Sequence, residues 1–184
     1  FANNIKNYLV ARNLDGVDID WEAPAKGANQ VNYGLLIDDL YAALHPIGKK
    51  ITAAVNPWTK EIPVPATQKM DWVNVMCYDF DYANHSTYAA STDGMDQWQY
   101  YGVAKDKLVM GVPFYGRGWT GVPSTNNGLF QSATAPAPAP LEAGIFDYKV
   151  LAGMSGFTRF FNEEAKVPWM YNPQTGVMIS YDDP

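Results

Sequence analysis

Cysteine is almost absent from this 184-residue chain. Cys77 stands alone, so the chain forms no internal disulfide and has no cysteine set for a zinc site. Histidine is nearly as scarce, and His45 and His85 have no metal-ligand spacing between them. Basic charge is also short. The 13 Lys and Arg stand against 19 Asp and Glu, a formal charge of −6. That balance argues against nucleic acid or an anionic membrane as partner, because phosphate contacts need clustered Lys and Arg. No run of about 18 uninterrupted apolar residues occurs, so no segment reads as a membrane-spanning helix. The chain opens on Phe1 and shows no charged n-region, apolar h-region or cleavage site, which reads as a processed product or an excised piece. No internal repeat of fixed period is visible. What is present is ordinary for a globular domain: 47% hydrophobic and 17% charged residues. Aromatics reach 14%, with 6 Trp and 12 Tyr, a surplus that suits either a core or a stacking surface for flat apolar ligand faces.

The order of patterns predicts alternating elements. Residues 1–13 carry Ile5, Leu9 and Arg12 at helical spacing. Residues 14–22 alternate and read as a strand. Over 29–47, Tyr33, Leu36, Ile37, Leu40, Tyr41 and Leu44 share one side of an amphipathic helix, which Pro46 and Gly48 stop. Strands are expected at 49–56, 71–80 and 107–115, a Pro-rich loop at 57–69, a polar loop at 81–93, and a short helix at 94–104. Strands and helices alternating at this interval indicate βαβ units and a parallel sheet. The pattern breaks at Gly116. Residues 116–140 read as loop and include the low-complexity run 133–140. A helix near 147–153 and a hairpin around 172–176 follow.

The strongest chemical signal is Asp15-Gly16-Val17-Asp18-Ile19-Asp20-Trp21-Glu22. In a strand, side chains alternate faces, so Asp18, Asp20 and Glu22 share one face and Val17, Ile19 and Trp21 the other. Neighbouring acids then sit roughly 6–7 Å apart, and like-charge repulsion disfavours ionising all of them. A carboxyl kept protonated near neutrality is what a general acid needs. Glu22, nearest the C-terminal rim, is the candidate, because parallel α/β folds carry their chemistry there. The plain alternatives are a solvated acidic face or an oxygen-rich cation site. The apolar opposite face reads as buried, where acids without a purpose are costly.

These residues resemble glycoside hydrolase family 18, the chitinase family. Asp15, Asp18, Asp20 and Glu22 match its D-x-x-D-x-D-x-E signature in full. Met76-Cys77-Tyr78-Asp79-Phe80 resembles the family's M-x-Y-D segment at the end of the sixth barrel strand. The segment from Gly111 to Arg117 resembles the end of the seventh, and Ile179 to Asp183 the close of the family's small insertion domain. The resemblance implies an α/β fold, a partial TIM (β/α)8 barrel of strands four to seven over residues 1–118. It implies an α+β insertion domain over 119–181 and the start of a return to the barrel at 182–184.

It also implies a retaining, substrate-assisted mechanism, for which this family is an exception to the two-carboxylate rule. Glu22 would protonate the glycosidic oxygen, Asp20 would orient the substrate acetamide, and Asp18 would share a proton with Asp20. Tyr78 would donate to the acetamide oxygen, and Met76 would shape the pocket under the distorted sugar. Asp79, Tyr115 and Arg117 would hold sugar hydroxyls, with Asp15 as a further signature residue on the substrate-binding side. Trp58, Trp98, Trp119 and Trp169 are candidate stacking platforms, Trp98 and Trp119 foremost; Trp21 reads as core. No cofactor and no metal are implied, and the expected partner is chitin or chitooligosaccharide. Secretion follows from the family and its polymeric substrate.

A full barrel takes about 250 residues. The family's first three strands and its last have no counterpart here, so open parallel edges are expected. Proteolytic truncation or a partial sequence is the preferred explanation, with self-association through the exposed edges as a consequence. Two functional classes stay open: a chitin-cleaving enzyme, and a carbohydrate-binding lectin or inert fragment without turnover. Lectin members usually lack the acid, and Glu22 is present.

Overall fold

In the computed structural model the described residues are 1–22, 24, 27–60, 62–81 and 83–183. They form two compact units, 1–76 with 93–111, and 77–92 with 112–184.

The first unit is a βαβ array. Its elements are α1 (Ala2–Ala11), β1 (Gly16–Ile19), α2 (Ala28–Leu44), β2 (Lys50–Val55), α3 (Val64–Gln68), β3 (Trp72–Met76) and β4 (Leu108–Gly111). The four strands pair in parallel in chain order, β1-β2-β3-β4, as consecutive strands of a barrel do. Alternation sorts their side chains. Ile51, Ala53 and Val55 of β2 and Val73 and Val75 of β3 are buried. Helix α2 buries Tyr33, Ile37, Leu40 and Leu44, the stripe its periodicity predicts, while Leu36 and Tyr41 are half-buried. Each fully buried Leu or Ile contributes roughly 1.5–3 kcal/mol. On the opposite face the register sets Asp18 beside Thr52, and Ala54 beside Asn74. Gly16 pairs with Lys50 so closely that an added Cβ would stand 2.3 Å from the Lys50 carbonyl oxygen. A side chain there would force β1 off β2.

The second unit holds an antiparallel sheet. Its strands are β5 (Tyr115–Thr120), β6 (Ala135–Pro136), β7 (Ile145–Asp147), β8 (Thr158–Asn162), β9 (Val167–Asn172) and β10 (Val177–Ser180), ordered β6-β5-β10-β9-β8 with β7 also on β5. Helix α5 (Tyr148–Gly153) follows β7. Both faces are covered: Phe146, Leu151, Met170, Ile179 and Tyr181 form one buried cluster, and Val122, Leu129, Trp169, Tyr171 and Met178 another. The β9–β10 hairpin turns where expected, and Asn172 Oδ1 accepts from the backbone N–H of Gln174 at 3.0 Å and of Thr175 at 3.2 Å. Helix α4 spans Tyr88–Tyr100.

Several boundaries differ from the sequence reading. The strand expected at 14–22 ends at Ile19, and that expected at 71–80 ends at Met76. The single strand expected at 107–115 is two, β4 and β5, in different sheets. The segment 116–140 is not all loop, because β5 runs to Thr120. Its glycines suggested irregular chain, yet Gly116 and Gly118 are close-packing positions: a Cβ on Gly118 would meet Phe146 at 2.5 Å. Helix α4 starts at Tyr88 rather than 94, where Thr87 Oγ1 accepts from the Ala90 N–H at 3.1 Å. The Pro-rich stretch contains the short helix α3, whose prolines sit in its first turn.

Replacing Leu40 by Ala is expected to cost about 2–5 kcal/mol, read from the urea unfolding midpoint. Leu36→Ala should cost clearly less, and equal losses would contradict the assigned buried stripe.

Candidate active site

The acid row belongs to the first unit. Asp18 projects from β1 across β2 towards β3, and its Oδ1 accepts from Thr52 Oγ1 on β2 and from Asn74 Nδ2 on β3, the latter at 2.9 Å. Both donors stand on the same sheet face as Asp18 by register. The carboxylate is therefore turned across the sheet and fixed there. Asp20 and Glu22 follow the C-terminal end of β1; both are exposed, and neither carboxylate meets a hydrogen-bonding partner among the described residues. Met76 ends β3 beside Gly111, on the Asn74 face. Asp15 is not brought to this end. It precedes β1, where its carbonyl accepts from the Lys50 N–H at 2.9 Å. Asp15 and Glu22 thus lie beyond opposite ends of β1, whose four residues alone span about 13 Å. A contact between Asp15 and a sugar bound at Glu22 does not fit that placement. Among the described residues, no group of three or more His, Cys, Asp and Glu is arranged to hold a metal ion. No helix among them is long and apolar enough to cross a membrane.

The tryptophans divide. Trp98 is wholly buried, donates from Nε1 to the Asn56 carbonyl at 2.8 Å, and stands edge-on to Tyr101. It offers no free ring face, so its assignment as a stacking platform is withdrawn. Trp169 is core as well, stacked on Phe160 at 5.1 Å. Trp58 is 41% exposed and donates from Nε1 to Asp93 at 2.9 Å. Trp21 is 38% exposed but lies against the buried Tyr33 ring at 5.7 Å, a lid on the core rather than part of its interior. Trp119 is half-buried in the second unit and lines a pocket of about 330 Å³ with Asp81, Phe130, Gln131 and Met178.

The second unit gathers Tyr78, Asp79, Tyr115 and Arg117. Alternation along β5 puts Tyr115, Arg117 and Trp119 on one face and the close-packed Gly116 and Gly118 on the other. Asp79 has φ of +59°, a left-handed conformation that Asp tolerates better than most residues. Its carboxylate is surrounded by donors. Arg117 Nε reaches Oδ1 at 2.7 Å and Nη2 reaches Oδ2 at 2.6 Å, a bidentate pair. Tyr115 OH donates to Oδ2 at 2.8 Å, and His85 Nδ1 lies 3.0 Å from Oδ1. Burial works to raise the Asp79 pKa, but the hydrogen bonds from Arg117, His85 and Tyr115 outweigh it and hold the carboxyl well below the usual range. Burial and the bond to Asp79 push the Tyr115 phenol up, and the Asp79 bond holds Arg117 firmly charged. Tyr78 stands edge-on to Tyr115, ring centroids 6.2 Å apart.

Asp79 is thus engaged with protein donors, and Arg117 meets it through Nε and Nη2, which leaves Nη1 outside the pair. Sequence reasoning missed His85, Thr52 and Asn74 as partners. For Thr52 and Asn74 the signal was there: a polar residue on the acid-facing side of each neighbouring strand.

Residues 1–184 match the family Glycosyl hydrolases family 18 over their whole length. The chain belongs to glycosyl hydrolase family 18. It is 34% identical over 230 residues to Chitinase A1 of Niallia circulans, a match covering all of this chain and 33% of that protein. A probable endochitinase of Orgyia pseudotsugata multicapsid polyhedrosis virus is 31% identical, covering 99% of this chain and 40% of the relative. Among solved structures, a class V chitinase mutant from Nicotiana tobaccum in complex with NAG4 is 27% identical with a TM-score of 0.86, covering this chain entirely and 61% of its own. The chain thus spans 33% and 40% of these two relatives and 61% of the solved chain, and its parallel sheet is part of a TIM barrel.

Asp79 has a depressed pKa, so its contribution to stability is present above the ordinary carboxylate range near pH ~4 and is lost as pH falls below it. The urea midpoint of the native chain should therefore drop more between pH 7 and pH 3 than that of Asp79→Asn. An equal drop in both would show that Asp79 does not carry this pH dependence.

Proposed function

We propose that this chain carries the proton-donating part of a chitin-cleaving glycosidase that retains anomeric configuration through the substrate's own acetamide. The observation that carries this reading is the acid row along β1, with Asp20 and Glu22 following its C-terminal end and Asp18 anchored across the sheet by Thr52 and Asn74. In TIM barrels that end of the strands carries the chemistry. The relatives named as chitinases, and the tobacco enzyme's complex with NAG4, support the substrate class.

In this reading Glu22 delivers its proton to the glycosidic oxygen as the bond from that oxygen to the anomeric carbon breaks. The acetamide carbonyl oxygen forms the new bond to the anomeric carbon, giving an oxazolinium ion. Asp20 orients the acetamide N–H and stabilises the developing positive charge. Water then attacks the anomeric carbon as its bond to the acetamide oxygen breaks, the oxazolinium ring opens back to the acetamide, and the Glu22 carboxylate takes a proton from that water. Asp18 shares a proton with Asp20. Tyr78 donates to the acetamide oxygen, Met76 shapes the sugar pocket, and Arg117 with Tyr115 binds sugar hydroxyls, Asp79 acting through them. Trp119 and the exposed Trp58 are the remaining stacking candidates. Residues 1–118 are taken as the barrel part and 119–181 as the insertion domain; a polymeric substrate of this kind places the protein outside the cell. The exposure of Asp20 and Glu22 favours one second reading, a chain that binds chitooligosaccharide without cutting it.

Hydrolysis of a chromogenic chitobiose or chitotriose by this chain separates the two. In the enzyme reading, Glu22→Gln lowers turnover by about a hundredfold or more and leaves saccharide affinity nearly unchanged. Comparable turnover in that variant refutes the acid assignment, and an inactive native chain that still binds leaves the second reading. Asp20→Asn is expected to cut the rate steeply with a modest change in affinity, since its contact matters most as charge develops. A glucan without acetamide groups should not be cut; cleavage at a similar rate would rule out the substrate-assisted route.

A further inference from the structure

His85 is fully buried, and its imidazole is fixed from several sides. Its backbone N–H donates to Ser180 Oγ at 3.0 Å, and its carbonyl accepts from the Phe80 N–H at 3.1 Å. Its ring stands edge-on to Tyr115 at 5.0 Å. Nδ1 lies 3.0 Å from Asp79 Oδ1 and 3.3 Å from the Asp79 backbone nitrogen. Those two contacts exclude each other, because one ring nitrogen either donates or accepts. A hydrogen bond to a carboxylate is the stronger of the two, so Nδ1 carries the hydrogen and donates to Oδ1. Nε2 is then left without a hydrogen-bond partner among the described residues. A buried imidazole with one nitrogen idle is costly unless the other does something needed.

The geometry points to His85 as a positioning residue for Arg117. It meets the same Asp79 oxygen as Arg117 Nε, while Tyr115 and Arg117 Nη2 share the other. Without that donor the carboxylate is held only from β5, by Arg117 and Tyr115, and the plane in which the guanidinium docks loses its support from the loop side. His85 thereby sets where Arg117 stands. Its consequence for saccharide binding rests on the role given to Arg117 under Proposed function; its consequence for the Arg117–Asp79 pair does not.

Two amide substitutions separate this role from packing. The side-chain amide of Asn falls near the place of Nδ1, and that of Gln near the place of Nε2. The readouts are the Arg117 Nε–H signal in nitrogen-15 spectra of the whole chain, assigned with Arg117→Lys, and calorimetric binding of tri-N-acetylchitotriose. His85→Asn should keep the Arg117 signal at its native position and slow solvent exchange. His85→Gln should move it away from the native position towards that of a free guanidinium and speed exchange by about tenfold, with trisaccharide affinity weaker by about tenfold, the effect of one lost charge-assisted bond. Retention of the native signal in both variants overturns the assignment. Its loss in both, by loosening or by unfolding, overturns it in favour of packing. If the native chain takes up no trisaccharide, the function reading falls, while the Arg117 signal still decides the role of His85.

Discussion

A carboxylate saturated by donors ties the second unit together. Asp79 sits in a loop, Arg117 and Tyr115 on β5, and His85 at the far side of the same loop. Four donors converge on two oxygens, and each is fixed by its own backbone. The loop is closed at its base, where Ser86 Oγ donates to the Cys77 carbonyl at 2.7 Å and Phe80 N–H to the His85 carbonyl. Asp81 Oδ1 holds the tip, accepting from the Ala83 and Asn84 N–H groups at 2.7 Å each. Charge pairing here follows from geometry: a half-buried carboxylate stays ionised only where donors outnumber what burial removes.

The first unit works by a different constraint, the two-residue period of parallel strands. One period sends Ile51, Ala53, Val55, Val73 and Val75 into the buried layer. The same period delivers Asp18, Thr52 and Asn74 to the other face, where they find one another. A slip of one residue in the β1–β2 register would bury the acid and expose the isoleucines. Gly16 guards that register, since its approach to the Lys50 carbonyl leaves no room for a side chain.

Much of this was legible in the sequence, and the reasons are local. The acid signature and the α2 stripe are repeats over a few residues, so composition and spacing suffice to find them. What escaped depends on residues distant in the chain. Arg117 and Asp79 lie 38 positions apart, and nothing in either segment announces the other as partner. Trp98 looked like an exposed platform because a tryptophan near a helix start has no local mark of burial; its partner, the Asn56 carbonyl, lies 42 residues away. Strand β5 was hidden because alternate glycines resemble a loop. They mark instead a strand whose inner face is pressed against Phe146 and Ile179.

The backbone of Asp79 narrows what can stand at that position. With φ at +59° the backbone favours Asp or Asn and disfavours branched chains. The guanidinium, phenol and imidazole around it demand negative charge, which Asn lacks. Glu would bring the charge but reaches too far and resists the left-handed turn. Two unrelated filters therefore leave a single side chain, and drift at this site has to carry Arg117 along with it.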